Sequence, residues 1–464
     1  MSIYIYNSLT RKKEEFLPLM PPKVKIYTCG ITVYDESHIG HARSLYIFDV
    51  IRKYLKFRGY SVNFVRNITD IDDKIINRAN ELKIDWKELT EKYIRGYYED
   101  LRALDIEKAD FEPRATENIS DMVRCIEALI VRGFAYEAGG DVYFDVRKFS
   151  AYGKLSGQNI CQMETGVRIE PSEAKRNPLD FALWKKSELN EPCWDSPWGK
   201  GRPGWHIECS VMSLKFLKTE TIDIHAGGRD LIFPHHENEI AQAEALTEKP
   251  FAKYWIHHGL VTINGQKMAK SLGNFITIKD FMGRYQSADL LKFFFLSAHY
   301  SHPIDYSEEK IRETKQALGR ILILADKIGR KKPLNSNQGQ EFREIKEARN
   351  KFIEAMDDDF NTPQGLAAIF ELVNITNKNI DDLDFIYNAN VLIKELLGIL
   401  GISLKIENKT VEVNDEFVNE KILERNKARN DKDFILADKI RKELEEKGIM
   451  LEDTKEGSAW RRKM

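Results

Sequence analysis

The chain of 464 residues contains no Gly-x-x-x-x-Gly-Lys-Ser/Thr run. The commonest backbone cradle for nucleotide phosphates is therefore absent, and any nucleotide must be held by other means. No apolar run reaches membrane-spanning length. Residues 1–17 lack the apolar stretch of a secretion signal, which predicts a cytoplasmic protein. Cysteine is scarce: five residues, odd in number and widely scattered, argue against a disulfide framework and for a reducing compartment. Neither sign of charge dominates. The formal net charge is -2, so contact with a nucleic acid must come from local patches, not the overall field. Internal repeats and low-complexity tracts are also missing. What remains is 42% hydrophobic and 31% charged residues in a chain too long for one ordinary core, which predicts a globular protein of two or three domains.

Residues 24–29 alternate apolar and polar side chains and read as a strand. Residues 30–37 are a loop. From His38 onward, Leu45, Phe48, Ile51 and Leu55 fall at helical spacing, and Gly59 stands where that helix would stop. Residues 61–68 alternate again, with Val62 and Phe64 as the apolar members. Strand, helix, strand is the opening unit of a parallel α/β sheet. Its ligand crevice, at the strand carboxyl ends, would lie near Cys29 and His38. Residues 101–200 read as an insertion with a helical stretch, a hairpin at Gly139-Gly140 and a proline-rich end. Sheet pattern resumes at 222–225, followed by Gly227-Gly228, and helices are expected over 235–246 and 290–296. The α/β unit is thus split into 1–100 and 201–306. Residues 307–402 carry long amphipathic helices, marked by Leu318, Ile321, Leu322 and Ile328, then Leu366, Ile369, Phe370 and Val373, with a polar link at 332–340. A small unit, 403–464, follows, with a helix over 434–447 closed by Gly448.

Two short words stand far apart: His38-Ile39-Gly40-His41 and Lys267-Met268-Ala269-Lys270-Ser271. Together they offer a way to activate ATP without a glycine-rich loop. Cleavage between the α and β phosphates spreads negative charge over a five-coordinate phosphorus, and donors and cations placed there lower the barrier. His38 and His41, three apart at a helix start, can point the same way, and the helix N-terminus adds its own attraction for phosphate. Gly40 leaves room for a nucleotide against the backbone. Lys267 and Lys270, in a loop after Ile263-Asn264-Gly265, can close over the separating phosphates. Either word alone is short. Their joint occurrence, in this order, with the first at a strand-to-helix turn, carries the reading.

Cys29, Cys209, His235 and Glu239 form a set that zinc accepts: thiolate, imidazole and carboxylate. His235 and Glu239, four apart, share one helix face. Spacing leaves other ligands open, since His206, His225, His236 and Glu237 lie close by. Cys125, Cys161 and Cys193 read as small hydrophobes.

The run Thr28-Cys29-Gly30-Ile31-Thr32-Val33-Tyr34-Asp35 before His38 resembles the cysteinyl-tRNA synthetases, a family of class I aminoacyl-tRNA synthetases. So do Asn67-Ile68-Thr69-Asp70-Ile71-Asp72-Asp73-Lys74, Gly201-Arg202-Pro203-Gly204-Trp205-His206-Ile207-Glu208-Cys209-Ser210 and Phe233-Pro234-His235-His236-Glu237-Asn238-Glu239. The tail matches at Leu436-Ala437-Asp438-Lys439-Ile440-Arg441, Leu451-Glu452-Asp453-Thr454 and Trp460-Arg461. The likeness runs through nearly the whole chain in order. It implies an α/β class I fold, a Rossmann-like parallel sheet with an insertion, followed by an all-α anticodon-binding region and a small tRNA-binding unit.

The resemblance selects Cys29, Cys209, His235 and Glu239 as the ligands of one zinc ion, which also takes the sulfur of substrate cysteine. A free thiol has a pKa of about 8.5, zinc deprotonates it, and serine is a far poorer soft-metal ligand. A pocket reading shape alone separates near-isosteres by only ~1–3 kcal/mol, so bonding makes an editing site unnecessary. The resemblance places Gly30, Thr69, Trp205 and His225 at the amino-acid pocket, and Trp460 and Arg461 against tRNA. L-cysteine, ATP with magnesium, and tRNA-Cys are the implied partners, and a monomer is expected. The lysine word departs from the family's usual form, with Ala269 where serine is common. A relative delivering cysteine to an amino sugar would lack the helical third. A non-catalytic RNA-binding relative would lose His38, His41 or Lys270, and all three are present.

Overall fold

The computed structural model describes residues 2–158, 175–189, 191–269, 272–329, 342–404, 415–431, 433–446, 449–454 and 457–462. The chain forms two compact units, Met1–Ser403 and Leu404–Met464. No helix among the described residues is long and apolar enough to cross a membrane.

The first unit opens with an antiparallel hairpin, β1 (Tyr4–Asn7) and β2 (Lys12–Glu15). β3 (Lys23–Thr28), α1 (Ile39–Phe57) and β4 (Ser61–Arg66) make the strand–helix–strand unit that the periodicity predicts. Gly59, with φ +87, turns the chain off α1. In β4 the expected alternation fails: Phe64, Val65 and Arg66 are all buried, as befits a parallel strand covered on both faces. α2 (Asp73–Leu82) and α3 (Trp86–Ala103) follow.

The insertion holds α4 (Ile119–Val131) and an antiparallel sheet of β5 (Ala135–Ala138), β6 (Asp141–Phe144), β7 (Phe181–Lys186) and β8 (Gly201–Pro203). Gly139 and Gly140, at φ +68 and +93, close the expected hairpin. Its apolar face shares one core with α5 (Trp205–Leu217), through Ile126, Phe144, Trp184, Ile207 and Met212.

The chain then re-enters the first sheet with β9 (Ile222–Gly228), α6 (Glu237–Thr247) and β10 (Ala252–His258). The sheet is parallel throughout, in the order β10-β9-β3-β4. Its register sets Tyr27 beside His225 and Thr28 beside Ala226. The carboxyl ends of β3 and β9 therefore meet at Cys29, with α6 entering from the irregular turn Ile232–His236. The helix expected from residue 235 begins two residues later, because Phe233 is extended (φ -138, ψ 133) and Pro234 follows it. A smaller sheet of β11 (Val261–Ile263), β12 (Gln266–Lys267) and β13 (Ile304–Tyr306) borders α7 (Ile278–Tyr285) and α8 (Ala288–Leu296).

Four helices end this unit: α9 (Glu308–Gly329), α10 (Arg343–Asp357), α11 (Thr362–Lys378) and α12 (Leu383–Ile399). The stripe residues Leu318, Ile321, Ile328, Leu366, Ile369 and Val373 are buried, while Leu322 and Phe370 are half-buried. The polar link at 332–340 lies outside the described residues.

The second unit consists of α13 (Asp415–Asn430), α14 (Phe434–Glu446) and the hairpin of β14 (Ile449–Thr454) with β15 (Gly457–Arg462). Its core is Val418, Ile422, Ile440, Leu444, Ile449 and Leu451. Gly448, the expected helix stop, lies outside the described residues.

Candidate active site

His38 is the N-cap of α1, with extended backbone (φ -105, ψ 170). Its Nδ1 accepts from the backbone N–H groups of Gly40 (3.0 Å) and His41 (3.3 Å), and Nδ1 of His41 accepts from the N–H of His38 (3.3 Å). This is a capping box built from two histidines. A ring whose Nδ1 accepts must carry its proton on Nε2 when neutral. Both rings are thereby fixed in one tautomer, stacked at 3.8 Å with an interplanar angle of 18°. Burial, with His38 and Lys74 nearby, pushes His41 down to about 3, which keeps its ring neutral. A Cβ on Gly40 would lie 2.8 Å from Cε1 of His38, so its bareness accommodates the capping imidazole.

The lysine word begins on the β11–β12 hairpin, whose turn residues Asn264 and Gly265 have φ +49 and +75. Lys267 is exposed at its end. Lys270 and Ser271 lie outside the described residues. Asn274 spans the base of the loop: its Oδ1 accepts from Ala269 N (2.8 Å), and its Nδ2 donates to Lys267 O (3.1 Å). The segment after the loop pairs with the histidine word, Ile39 N–H to Ile276 O (3.1 Å) and Ile278 N–H to Ser37 O (2.9 Å). The histidine word is thus tied through backbone to the segment that follows the lysine word, some 230 residues away in sequence.

Cys29, Cys209, His235 and Glu239 each offer a ligand atom, all within 4.8 Å of one another. Cys209, His235 and Glu239 are buried and Cys29 is half-buried. A second quartet, Cys29 with His225, His236 and Glu239, meets the same limit. The surroundings tell the residues apart. Glu237 faces away, accepting from the N–H groups of Gly153, Leu155 and Ser156. His206 Nδ1 lies 2.8 Å from His235 Nδ1, which fixes that ring and turns its buried Nε2 toward Glu239 Oε1, 3.0 Å away. His225 Nε2 is 2.8 Å from the other carboxylate oxygen and orients it from behind. His236 sits between Cys29 Sγ (3.3 Å) and His257 Nε2 (2.9 Å).

The charges fit a cation site. Burial raises the Cys29 thiol, and Cys209 and Glu239 add to the rise. Burial opposes ionisation of Cys209 too, but hydrogen bonds from Cys29 and His235 bring it down to about 6. Burial likewise opposes charge on His235, yet Glu239 and Cys209 hold it up at about 10. A cation is thus favoured at this spot, and a metal bound there would displace the proton of His235 Nε2 to take its lone pair. Two thiols, an imidazole and a carboxylate suit zinc.

Of the expected pocket residues, Thr69 and Gly30 meet through Asn67. Asn67 Oδ1 accepts from Gly30 N (2.8 Å) and Cys209 Sγ (3.7 Å), and its Nδ2 donates to Thr69 Oγ1 (3.1 Å). A Cβ on Gly30 would fall 1.6 Å from Asn67 O, so only glycine permits this approach. Trp205 stacks on His235 at 4.0 Å and borders a cleft of about 210 Å³ shared with Asp72, Phe181, Arg202 and His206. His225 is buried and stacked on Trp255 at 4.4 Å, so it stands behind Glu239 and does not line the cleft. Asn67 and Glu208 were not among the expected site residues. Glu208, fully buried, accepts from Thr69 Oγ1 (3.1 Å) and keeps Oε1 without a hydrogen bond. Both stand inside the quoted runs, but no spacing rule marks them.

In the second unit, Trp460 donates from Nε1 to Asn419 (3.2 Å) and packs half-buried on the unit's core. Arg461 lies on β15 opposite Met450. Cys125 is buried, Cys193 is exposed, and Cys161 lies outside the described residues.

Residues 15–316 match the family model described as tRNA synthetases class I (C) catalytic domain, and residues 351–405 match the DALR domain. The chain is 50% identical over 489 residues to the cysteine–tRNA ligase of Persephonella marina, covering 100% of both. It is 51% identical over 469 residues to that of Geobacillus thermodenitrificans, covering 99% of both. Among solved structures, methionyl-tRNA synthetase from Mycobacterium tuberculosis in complex with methionyl-adenylate aligns with a TM-score of 0.61 at 15% identity, over 82% of this chain and 91% of that one. The Agrobacterium radiobacter K84 agnB2 LeuRS in its ternary complex aligns with a TM-score of 0.61 at 11% identity, over 84% and 85%. At such identities these structures speak for the fold alone. Full-length relatives at half identity do more, and the chain belongs to the cysteine–tRNA ligases, enzymes of the class I synthetase fold.

Proposed function

We propose that Cys29, Cys209, His235 and Glu239 hold one zinc ion, and that this centre selects cysteine for ligation to tRNA-Cys. The observation that carries it is the convergence of two sulfurs, an imidazole nitrogen and a carboxylate oxygen within 4.8 Å of one another, with His235 Nε2 3.0 Å from Glu239 Oε1. When bound, zinc supplies a soft Lewis acid that favours a thiolate over an alcohol.

The chain's own residues do the rest. Gly30, Thr69 and Trp205 border the amino acid, with Asn67 tying the first two to Cys209. His225 orients Glu239, and His206 orients His235, a division common at zinc sites. His38 and His41 present Nε2–H groups to the phosphates of ATP as charge develops in the transition state. Lys267 and Lys270 add cations, and magnesium accompanies ATP. The cysteinyl group then passes to the terminal ribose of tRNA. The helices of 307–402 and the unit 403–464, with Trp460 and Arg461, contact that tRNA, and a single chain in the cytoplasm suffices.

The test is cysteine-dependent ATP–pyrophosphate exchange beside a serine control, on metal-replete and chelator-treated protein, with zinc content measured for wild type and Cys209→Ala. One zinc per chain, lost in the variant along with cysteine-dependent exchange, is expected. Full metal in Cys209→Ala, or unimpaired choice of cysteine by stripped protein, would defeat the assignment.

A further inference from the structure

Between α10 and α11 the chain turns through three successive carboxylates, each taken by an element outside the bundle. Asp357 Oδ1 accepts from Tyr54 Oη (2.6 Å) and from the Arg58 guanidinium, both at the C-terminal end of α1. Asp358 pairs with Lys13 on β2 at 2.6 Å. Asp359 Oδ1 accepts from the Tyr6 N–H on β1 (2.8 Å) and from Tyr300 Oη (2.7 Å). The backbone of Asp359 joins in, its N–H donating to Tyr4 O (2.9 Å) and its carbonyl accepting from His299 Nε2 (2.9 Å). Asp357 and Asp359 are each 5% exposed, whereas Asp358 is exposed, so the first and third carry the attachment.

The turn is also bent in an uncommon way. Asp359 and Phe360 are consecutive left-handed residues, φ +63 and +52. For a bulky residue such as phenylalanine this is an outlier, and it persists only where the surroundings over-determine it. Phe360 is buried, edge-on to Tyr54 (6.1 Å) and Tyr300 (6.4 Å). The other end of the bundle touches the same helix, since Tyr46 Oη of α1 donates to Leu400 O (2.6 Å). α1 thus begins at the histidine pair and ends beside Asp357. It is a rod of 19 residues, about 28 Å long.

We infer that Asp359, with Asp357, is a positioning residue for tRNA charging. It fixes the helical bundle against α1 and the β1–β2 hairpin, so that a tRNA held on the bundle presents its terminal ribose to the adenylate. This rests on the reading that the bundle contacts tRNA. Adenylate formation draws only on residues of the α/β unit. Charging requires two distant contacts at fixed separation, and a misplacement of about 1 Å can cost about 100-fold. A loosened turn should therefore harm the second step and spare the first. Both donors to Asp359 Oδ1 are uncharged, so asparagine should serve in its place while alanine should not.

The experiment compares wild type, Asp359→Ala and Asp359→Asn in ATP–pyrophosphate exchange and in tRNA aminoacylation. Asp359→Ala should keep exchange within about twofold and lose about tenfold or more in kcat/KM for tRNA, as expected for two buried hydrogen bonds. Asp359→Asn should recover most of that loss. Equal losses in both assays, undiminished charging by Asp359→Ala, or no recovery in Asp359→Asn would each overturn the inference. Hydrogen exchange of wild type with tRNA separates the two layers. Protection within 362–399 beside undiminished charging by the alanine variant removes the positioning role alone. Absent protection removes the reading beneath it.

Discussion

Gly40→Ala separates stability from chemistry at the histidine word. The new methyl would lie 2.8 Å from Cε1 and 2.9 Å from Nδ1 of His38. Neither is backbone, so the imidazole swings away and α1 itself stays in place. The swing breaks the two hydrogen bonds that Nδ1 accepts from Gly40 and His41. Losing a helix N-cap costs about 0.5–2 kcal/mol. Replacing glycine by alanine within a helix returns about 0.5–1 kcal/mol. The two nearly offset, so Tm should move by no more than a few degrees. Chemistry has no such compensation. A displaced cap no longer fixes the His38 tautomer or its stack on His41. Removing one transition-state donor outright costs about 10²–10³ in rate. A donor misplaced but present should cost less, about 10–100-fold. The assay is cysteine-dependent pyrophosphate exchange beside calorimetry, with the KM for cysteine near that of wild type. Exchange at the wild-type rate would refute the argument, as would a large fall in Tm with parallel weakening of cysteine binding.

Three further outcomes are expected. His206→Ala should weaken zinc retention by about 10–100-fold, since His206 orients His235 without being a ligand; unchanged release to a chelator would count against the assignment. Asp100, buried beside Ser37, has its carboxyl raised by burial from 3.8 to about 6. A raised carboxyl contributes stability that is full below about pH 4 and lost as pH climbs through 6. Asp100→Asn should therefore gain on wild type between pH 4 and 8, by about 1–3 kcal/mol, and a gap in Tm that stays constant across that range would sink the idea. Asn274→Ala should slow exchange about tenfold by releasing Ala269 N and Lys267 O, while Ala269→Ser stays within a few-fold; the reverse order would show that the serine usual in the family carries the loop.

Much of the α/β unit was legible because its elements carry their own periods. α1 shows its apolar stripe and its glycine stop, and the β5–β6 hairpin shows its paired glycines. What failed did so where tertiary context overrode a local rule. β4 does not alternate, since helices and the insertion cover both of its faces. The helix meant to start at His235 yields to the extended Phe233 before Pro234, so the shared helix face of His235 and Glu239 is in fact a turn leading into a helix. The closeness of Gly40 to the His38 ring was not legible either, because nothing in four letters shows a histidine capping its own helix with Nδ1.

The zinc quartet shows the limit most clearly. Composition supplies the donor types, but the register of Tyr27 against His225 brings the carboxyl ends of β3 and β9 together. Choice among donors then depends on what each one's other atoms already hold. Glu237 is occupied by three backbone N–H groups from residues 153–156, some eighty positions away in sequence. His206 and His225 are each committed to a residue of the quartet. His235 is braced at Nδ1 by His206 and turns Nε2 to Glu239 Oε1 at 3.0 Å, on the side where both thiols converge. A candidate ligand set is singled out here by which atoms converge and which are already held elsewhere, and neither exists until the fold has placed every competing donor.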